Sequence, residues 1–200
     1  MSRVYFYRSL LLLLSTSLPV VAWQAARSTG QRSLAVTVED AFIQKQFGDE
    51  FTVLRNLPAV SGDLNGDGIE DIVIPARAKS ALIGEAEYNY KTIDPYTSFF
   101  GLGDPKISSE FASEDPQYRG FVLLVIHGAG QEAWRSATPK AKFVIINLPF
   151  RQIALRPLQV KKKKVVTAIY AEETGGDQMT SATYFDGKRY KYQPMGSSLQ

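Results

Sequence analysis

Apolar residues change their spacing several times along the 200-residue chain, and each change marks an element. Val38, Phe42, Ile43 and Phe47 recur at helical intervals, with Thr37 placed to cap the segment, Asp40 three residues on, and Gly48 to end it. The spacing predicts a helix over 37–47. Phe51 to Leu57 alternates apolar and polar residues as a half-buried strand does, and Ile72-Val73-Ile74 within 71–76 reads as the next strand. From Phe121 strand follows strand, over 121–127, 142–148, 152–158, 165–171 and 181–192. Asp186-Gly187 interrupts the last of these as a two-residue turn signal and sets Phe185 opposite Lys188. That register puts Phe185, Tyr190 and Tyr192 on one face and Tyr184 on the other, between Arg189 and Lys191.

The stretch from Arg77 to Gly120 breaks this rhythm. It is rich in Ser, Asp, Gly and Pro and carries Tyr88, Tyr90, Tyr96, Phe99, Phe100, Phe111 and Tyr118 without a clean period. It therefore reads as a long insertion folded over one edge of the sheet. Asp104-Pro105 suits the start of a short helix running through Phe111. The aromatics argue against disorder, and suit either a satellite cluster packed under the loop or a platform for a ligand. The expected fold is one α+β domain over 37–196, dominated by an antiparallel sheet with the N-terminal helix packed on it. A flexible lead-in at 23–36 precedes it.

Composition agrees with a single ordinary core, at 44% hydrophobic and 22% charged. The N-terminus adds a destination. Arg3 and Arg8, with no acid among residues 1–8, precede the apolar stretch Ser9 to Val21, which is too short to cross a bilayer comfortably. Small residues at Val20 and Ala22 make Trp23 the first residue after cleavage, so 1–22 reads as a signal peptide. That implies export to the periplasm or the medium, without stable membrane insertion after cleavage. An uncleaved anchor is the alternative, because Trp23 is an interfacial residue. The chain has no cysteine, which excludes a lipoprotein anchor and disulfides. Removing 1–22 takes two arginines and lowers the formal net charge from +3 to +1, which argues against a nucleic-acid partner. The cluster Lys161 to Lys164 reads as a solvated turn between strands or a guarded edge, with contact to anionic lipid or polysaccharide as the alternative.

Candidate chemistry concentrates in Asp63-Leu64-Asn65-Gly66-Asp67-Gly68-Ile69-Glu70-Asp71. Oxygen-bearing side chains stand at loop positions one, three, five and nine, with glycine at the sixth. A hard cation such as Ca²⁺ takes six to eight oxygens at about 2.3–2.6 Å, and a chain folding round it presents every second residue inward. Asp63, Asn65 and Asp67 do so, and Asp71 closes the site. Ile69 offers its main-chain carbonyl while its side chain points into the core. Gly66 and Gly68 supply the turned backbone. An EF-hand is excluded, since its twelfth position needs a bidentate Glu and here is Ile74.

The stretch from Gly62 to Ala76 resembles the D-x-D-x-D-G-x-x-D loop of integrin-type FG-GAP and VCBS repeats, in which a calcium loop joins two strands. The resemblance implies calcium held by Asp63, Asn65, Asp67, the Ile69 carbonyl and Asp71. Asn65 departs from the pattern, and the missing charge implies affinity toward the weak, extracellular end of the calcium range. A metal-free set of Asx turns is the alternative, opposed by the repulsion among three aspartates with no base inside the nonapeptide. One copy, with no repeat at the period of about 40–60 residues that blades need, excludes a full propeller. The ending Ala-Thr-Tyr-Phe-Asp-Gly-Lys-Arg-Tyr-Lys-Tyr also resembles the closing hairpin of small exported bacterial proteins with one FG-GAP-like loop.

Catalytic patterns fare worse. His127-Gly128-Ala129-Gly130 resembles the oxyanion loop of α/β-hydrolases, but His127 is the one histidine of the chain and there is no Gly-x-Ser-x-Gly elbow. The same stretch matches a minimal dinucleotide fingerprint, yet Pro139 ends it before a crossover helix could form. His127 is expected as a strand-end residue with a satisfied hydrogen bond. Glu85, Glu87, Glu172 and Glu173 are the acids open to a glycosidase, and zinc is excluded by the lack of ligands. The reading is an exported calcium-binding structural or interaction module, meeting envelope protein or glycan through the aromatic insertion. A cell-envelope hydrolase using carboxylates near 77–120 is the alternative.

Overall fold

Two nearly unbroken apolar runs, Ile72-Val73-Ile74 and Phe121-Val-Leu-Leu-Val-Ile126, have no polar face to give to water, so both must be covered on two sides. The computed structural model, which describes residues 34–101, 115–161, 164–174 and 178–196, provides that cover with three layers. The elements in order are β1 (Leu34–Val36), α1 (Asp40–Phe47), β2 (Phe51–Val53), β3 (Ala59–Gly62), β4 (Asp71–Ala78), β5 (Lys91–Ile93) and α2 (Pro95–Phe99). They continue as β6 (Phe121–His127), β7 (Ala141–Ile145), β8 (Phe150–Lys161), β9 (Lys164–Glu173), β10 (Met179–Phe185) and β11 (Tyr190–Pro194). A 3₁₀ turn, Ala133–Arg135, lies between β6 and β7.

The larger sheet runs β1-β3-β4-β6-β7-β5, with β2 sharing an edge of β4, and the smaller runs β11-β10-β9-β8. Every pairing is antiparallel except β5 with β7, which run parallel. The result is a single, mostly antiparallel domain without a closed barrel. Leu34–Val36, within the expected lead-in, pairs with β3 instead.

Pro75 lies inside the central strand β4, where a missing N–H would ordinarily break a ladder. It falls in the gap where β4 changes partner from β3, which ends its register at Val73, to β2, which begins at Ala76. The Pro75 carbonyl accepts the Leu54 N–H at 3.0 Å on that side, so the nitrogen also points away from β6 and costs no bond there.

One face of the large sheet, with Ile72, Ile74, Leu124 and Ile126, packs under Ile43 and Phe47 of α1. The other face, with Val73, Leu123, Val125 and Phe143, packs against Ile153, Ile169 and Tyr190 of the small sheet. Thr37 does not cap α1. The cap position is Glu39, with no side-chain bond, while Asp40 accepts the Val53 N–H at 3.1 Å and pairs with Arg55. Tying the helix start to β2 takes the place of a local cap. Gly48 closes the helix at φ +91°, and the Tyr88 ring comes within 2.7 Å of where a Cβ would stand.

The last hairpin departs from its expected register. Phe185 faces Tyr190, not Lys188, across a four-residue loop in which Asp186 accepts the N–H groups of Lys188 at 2.9 Å and Arg189 at 3.0 Å. Gly187 has positive φ and Asp186 does not, so the turn is not type I′. The slip is by two residues, which leaves each side chain on its expected face. Tyr184 accordingly sits opposite Lys191. Lys161 pairs with Lys164 at the tip of the β8–β9 hairpin. The expected signal peptide at 1–22 and the helix from Asp104 to Phe111 lie outside the described residues. Among the described residues no helix is long and apolar enough to cross a membrane.

Leu124, fully buried in β6, tests the layering. Leu124→Ala is expected to cost about 2–5 kcal/mol by urea denaturation, and the exposed Val165→Ala within about 0.5 kcal/mol.

Candidate metal centre

The loop from Asp63 to Glu70 connects β3 to β4, whose first pair is Gly62 with Asp71. Its turns follow from the glycines, at φ +80° for Gly66 and +81° for Gly68, and a Cβ at either would meet nothing within 4 Å. Polar side chains fold back onto the loop's own backbone. Asp63 accepts N–H groups from Gly66 at 2.7 Å, Asp67 at 3.2 Å and Gly68 at 2.9 Å. Asn65 accepts from Asp67 at 2.9 Å, and Asp67 from Ile69 at 2.9 Å. These bonds form a chain of Asx-type turns.

Asp71 has no solvent exposure. One carboxylate oxygen accepts the N–H of Leu64 at 2.9 Å and of Asn65 at 3.3 Å, and the other accepts the N–H of Gly128 at 2.8 Å. Burial pushes its pKa up to about 7 against the pull of these donors, with the charges of Asp67 and Asp63 adding to the rise. Asp67 moves the other way, held low first by the ammonium of Lys140 at 2.9 Å. Lys140 arrives from just before β7, so the loop has a basic partner that the nonapeptide lacks.

Gly128 is fixed by close approach. A Cβ there would stand 2.4 Å from the Glu70 carbonyl oxygen and 2.8 Å from the Trp134 nitrogen. The neighbouring His127, at the end of β6, is buried and 2.8 Å from the Tyr190 hydroxyl, and burial lowers its pKa to about 4. Its ring is enclosed by Phe143, Phe185 and Tyr190. This is a satisfied core histidine.

The five sequence candidates therefore divide. Asp63, Asn65 and Asp67 share the loop, Asp71 sits beneath it, and Ile69 is half-buried and belongs to neither large core cluster. Leu64, 2% exposed, is the residue that anchors the loop in the core between the sheets. Its apolar character between Asp63 and Asn65 was the available signal. The donor chemistry fits a hard cation in kind, with carboxylates and an amide oxygen at alternating positions. Among the described residues no three His, Cys, Asp or Glu side chains are gathered as a metal would gather them, and the oxygens face N–H groups instead. The Nδ2 of Asn65 is buried without a partner.

The candidate catalytic acids have other attachments. Glu85 accepts the Thr92 N–H at 3.1 Å, Glu172 holds Arg151 at 2.8 Å, and Glu173 accepts the Tyr192 hydroxyl at 2.8 Å. No protein-family model, curated protein or solved structure matches the chain.

Asp71 and His127 oppose each other in pH dependence. A carboxyl raised to about 7 from 3.8 binds more proton folded than unfolded, so its contribution falls as pH rises through that window. A histidine lowered to about 4 from 6.5 binds less proton when folded, so its contribution rises with pH over nearly the same window. In EDTA, the stability of His127→Gln relative to wild type is expected to fall between about pH 4 and 6.5, and that of Asp71→Asn to rise between about pH 4 and 7. Urea midpoints across the range check both signs.

Proposed function

We propose that this chain is an exported calcium-binding module in which the ion pins the β3–β4 connection, leaving the rest of the surface to meet an envelope partner. The observation that carries the reading is an imbalance of charge. Asp63, Asp67 and Asp71 lie close enough for the first two to raise the proton affinity of the third, and Lys140 is the one ammonium bonded to them among the described residues. A divalent cation answers that imbalance better than a further proton.

In this reading Asp63, Asn65 and Asp67 give side-chain oxygens, Ile69 its carbonyl, and Asp71 the closing carboxylate. The resemblance to the FG-GAP and VCBS loop supports the same assignment. The ion supplies charge neutralisation and holds the loop; the chain's own residues supply the strands on either side. Export is supported by the arginine-flanked apolar stretch at 1–22. The α+β assignment rests on α1, whose Ile43 and Phe47 are fully buried against the large sheet.

Thermal unfolding with calcium and with EGTA tests the proposal. At free calcium about 100-fold above Kd, the gain is about 2.7 kcal/mol, read as a higher midpoint. Asp67→Ala is expected to abolish the gain, and Lys140→Gln to enlarge it by removing a competing cation. If neither chelation nor Asp67→Ala moves the midpoint, the calcium reading fails.

A further inference from the structure

The open edges of the two sheets meet at one place. β5 ends the large sheet, β11 ends the small one, and α2 packs against β11. Between them lies a cleft of about 260 Å³, whose lining includes Asp94, Ser98, Phe99, Arg189, Lys191 and Tyr192. That is slightly below the range of about 300–1,000 Å³ for sites that enclose drug-sized ligands, so the cleft seats a single ring.

Its charge is one-sided. Arg189 is exposed and has no ion-pair partner among the described residues, and Lys191 shares its ammonium with Asp186 at 2.9 Å. The acid in the lining, Asp94, is 1% exposed and already occupied: it accepts the Thr97 N–H at 2.7 Å and an amide N–H of Asn147. Among the described residues lining the cleft, a ligand cation meets only this committed carboxylate, whereas an anion meets Arg189, so the cleft favours an anionic ligand over a zwitterion. A phosphate dianion asks for more cation than one free arginine and one shared lysine supply.

The wall is aromatic. Phe99 meets Phe100 at 5.2 Å and Tyr192 at 5.3 Å, both near edge-on, and remains 50% exposed. Two edge contacts fix its orientation in advance of binding, so little side-chain freedom is left to lose. Tyr192 itself is buried, its hydroxyl donating to Glu173 and its ring packed on Tyr96 and Phe99, so Phe99 is the aromatic face the wall offers. An aromatic surface in one lining with an exposed guanidinium and a serine hydroxyl matches a ring with a C–H face, hydroxyls at its rim and one carboxylate.

We infer that the cleft between α2 and β11 binds an acidic sugar residue, its ring over Phe99 and its carboxylate on Arg189. The inference deepens the interaction-module reading by naming the ligand class, and rests on that reading for the exported setting in which such glycans occur. It does not use the calcium loop. The larger cleft beside that loop, about 450 Å³, is lined by Asp63, Asn65 and Lys164 and has no exposed aromatic ring in its lining to stack a sugar.

The test is an amide-resolved NMR titration of the full chain with D-glucuronate and with D-glucose, in EDTA so that no divalent ion can bridge a carboxylate. Glucuronate is expected to shift Ser98, Phe99 and Tyr190 to Tyr192, and to bind more tightly than glucose. Arg189→Gln should lower glucuronate affinity about tenfold, to the level of glucose. Phe99→Ala should weaken both sugars, with unchanged melting curves for the two variants. Equal binding of the two sugars, indifference to Arg189→Gln, or shifts confined to the 63–71 loop would overturn the inference. The calcium melt reads the other proposal separately, so either can fail alone.

Discussion

A carboxylate shut away from water has to be met by donors, and Asp71 meets that condition by drawing three N–H groups from two different loops. Two come from the start of the 63–70 loop and one from Gly128 beyond β6. The side chain at the first residue of a central strand thus holds together the ends of β3, β4 and β6. Gly128 has to be glycine for the same reason, because the Glu70 carbonyl and the Trp134 backbone fill the space a Cβ would need. Each group that closes this corner has its position set by another.

The corner is backed by strands packed on both sides. β4 and β6 are covered on both faces, by α1 and its neighbours on one side and by the small sheet on the other. Leu64 ties the loop to that packing, since it is buried among the residues between the sheets while Asp63 and Asn65 on either side fold back onto the loop's own N–H groups. The far end of the sandwich is built differently. There the sheets end in short strands, β5 and β11, and an aromatic group of Tyr96, Phe99, Phe100 and Tyr192 packs edge to face beside the cleft.

Several details of the candidate site were legible in the residues and several were not. The glycine positions, the oxygens at alternating places and the strand that follows could be read directly, because they depend on neighbours within a few residues. Lys140 could not, being 73 residues from Asp67. The role of Leu64 was missed in favour of Ile69, as both flank polar residues and nothing local says which one the core will take. Thr37 had the chemistry of a cap, but Asp40 found partners on β2 and moved the helix start. The final hairpin slipped by two positions because Asp186 captures two N–H groups of its own turn, an interaction the Asp-Gly signal does not distinguish from a tighter one.

By itself the sequence determined that this is a mostly antiparallel β chain, which residues form its innermost strands, and where the polar, glycine-turned loop at 63–70 lies. Those properties follow from the period of apolar residues and from backbone freedom at glycine, both of which act over a few bonds. Tertiary structure decided the rest: the parallel pairing of β5 with β7, the ammonium on Asp67, the burial of Asp71 and the cleft between α2 and β11. Each of these brings together groups far apart in the chain. Desolvation and charge pairing depend on what lies across space, and the sequence order of the partners carries no record of it.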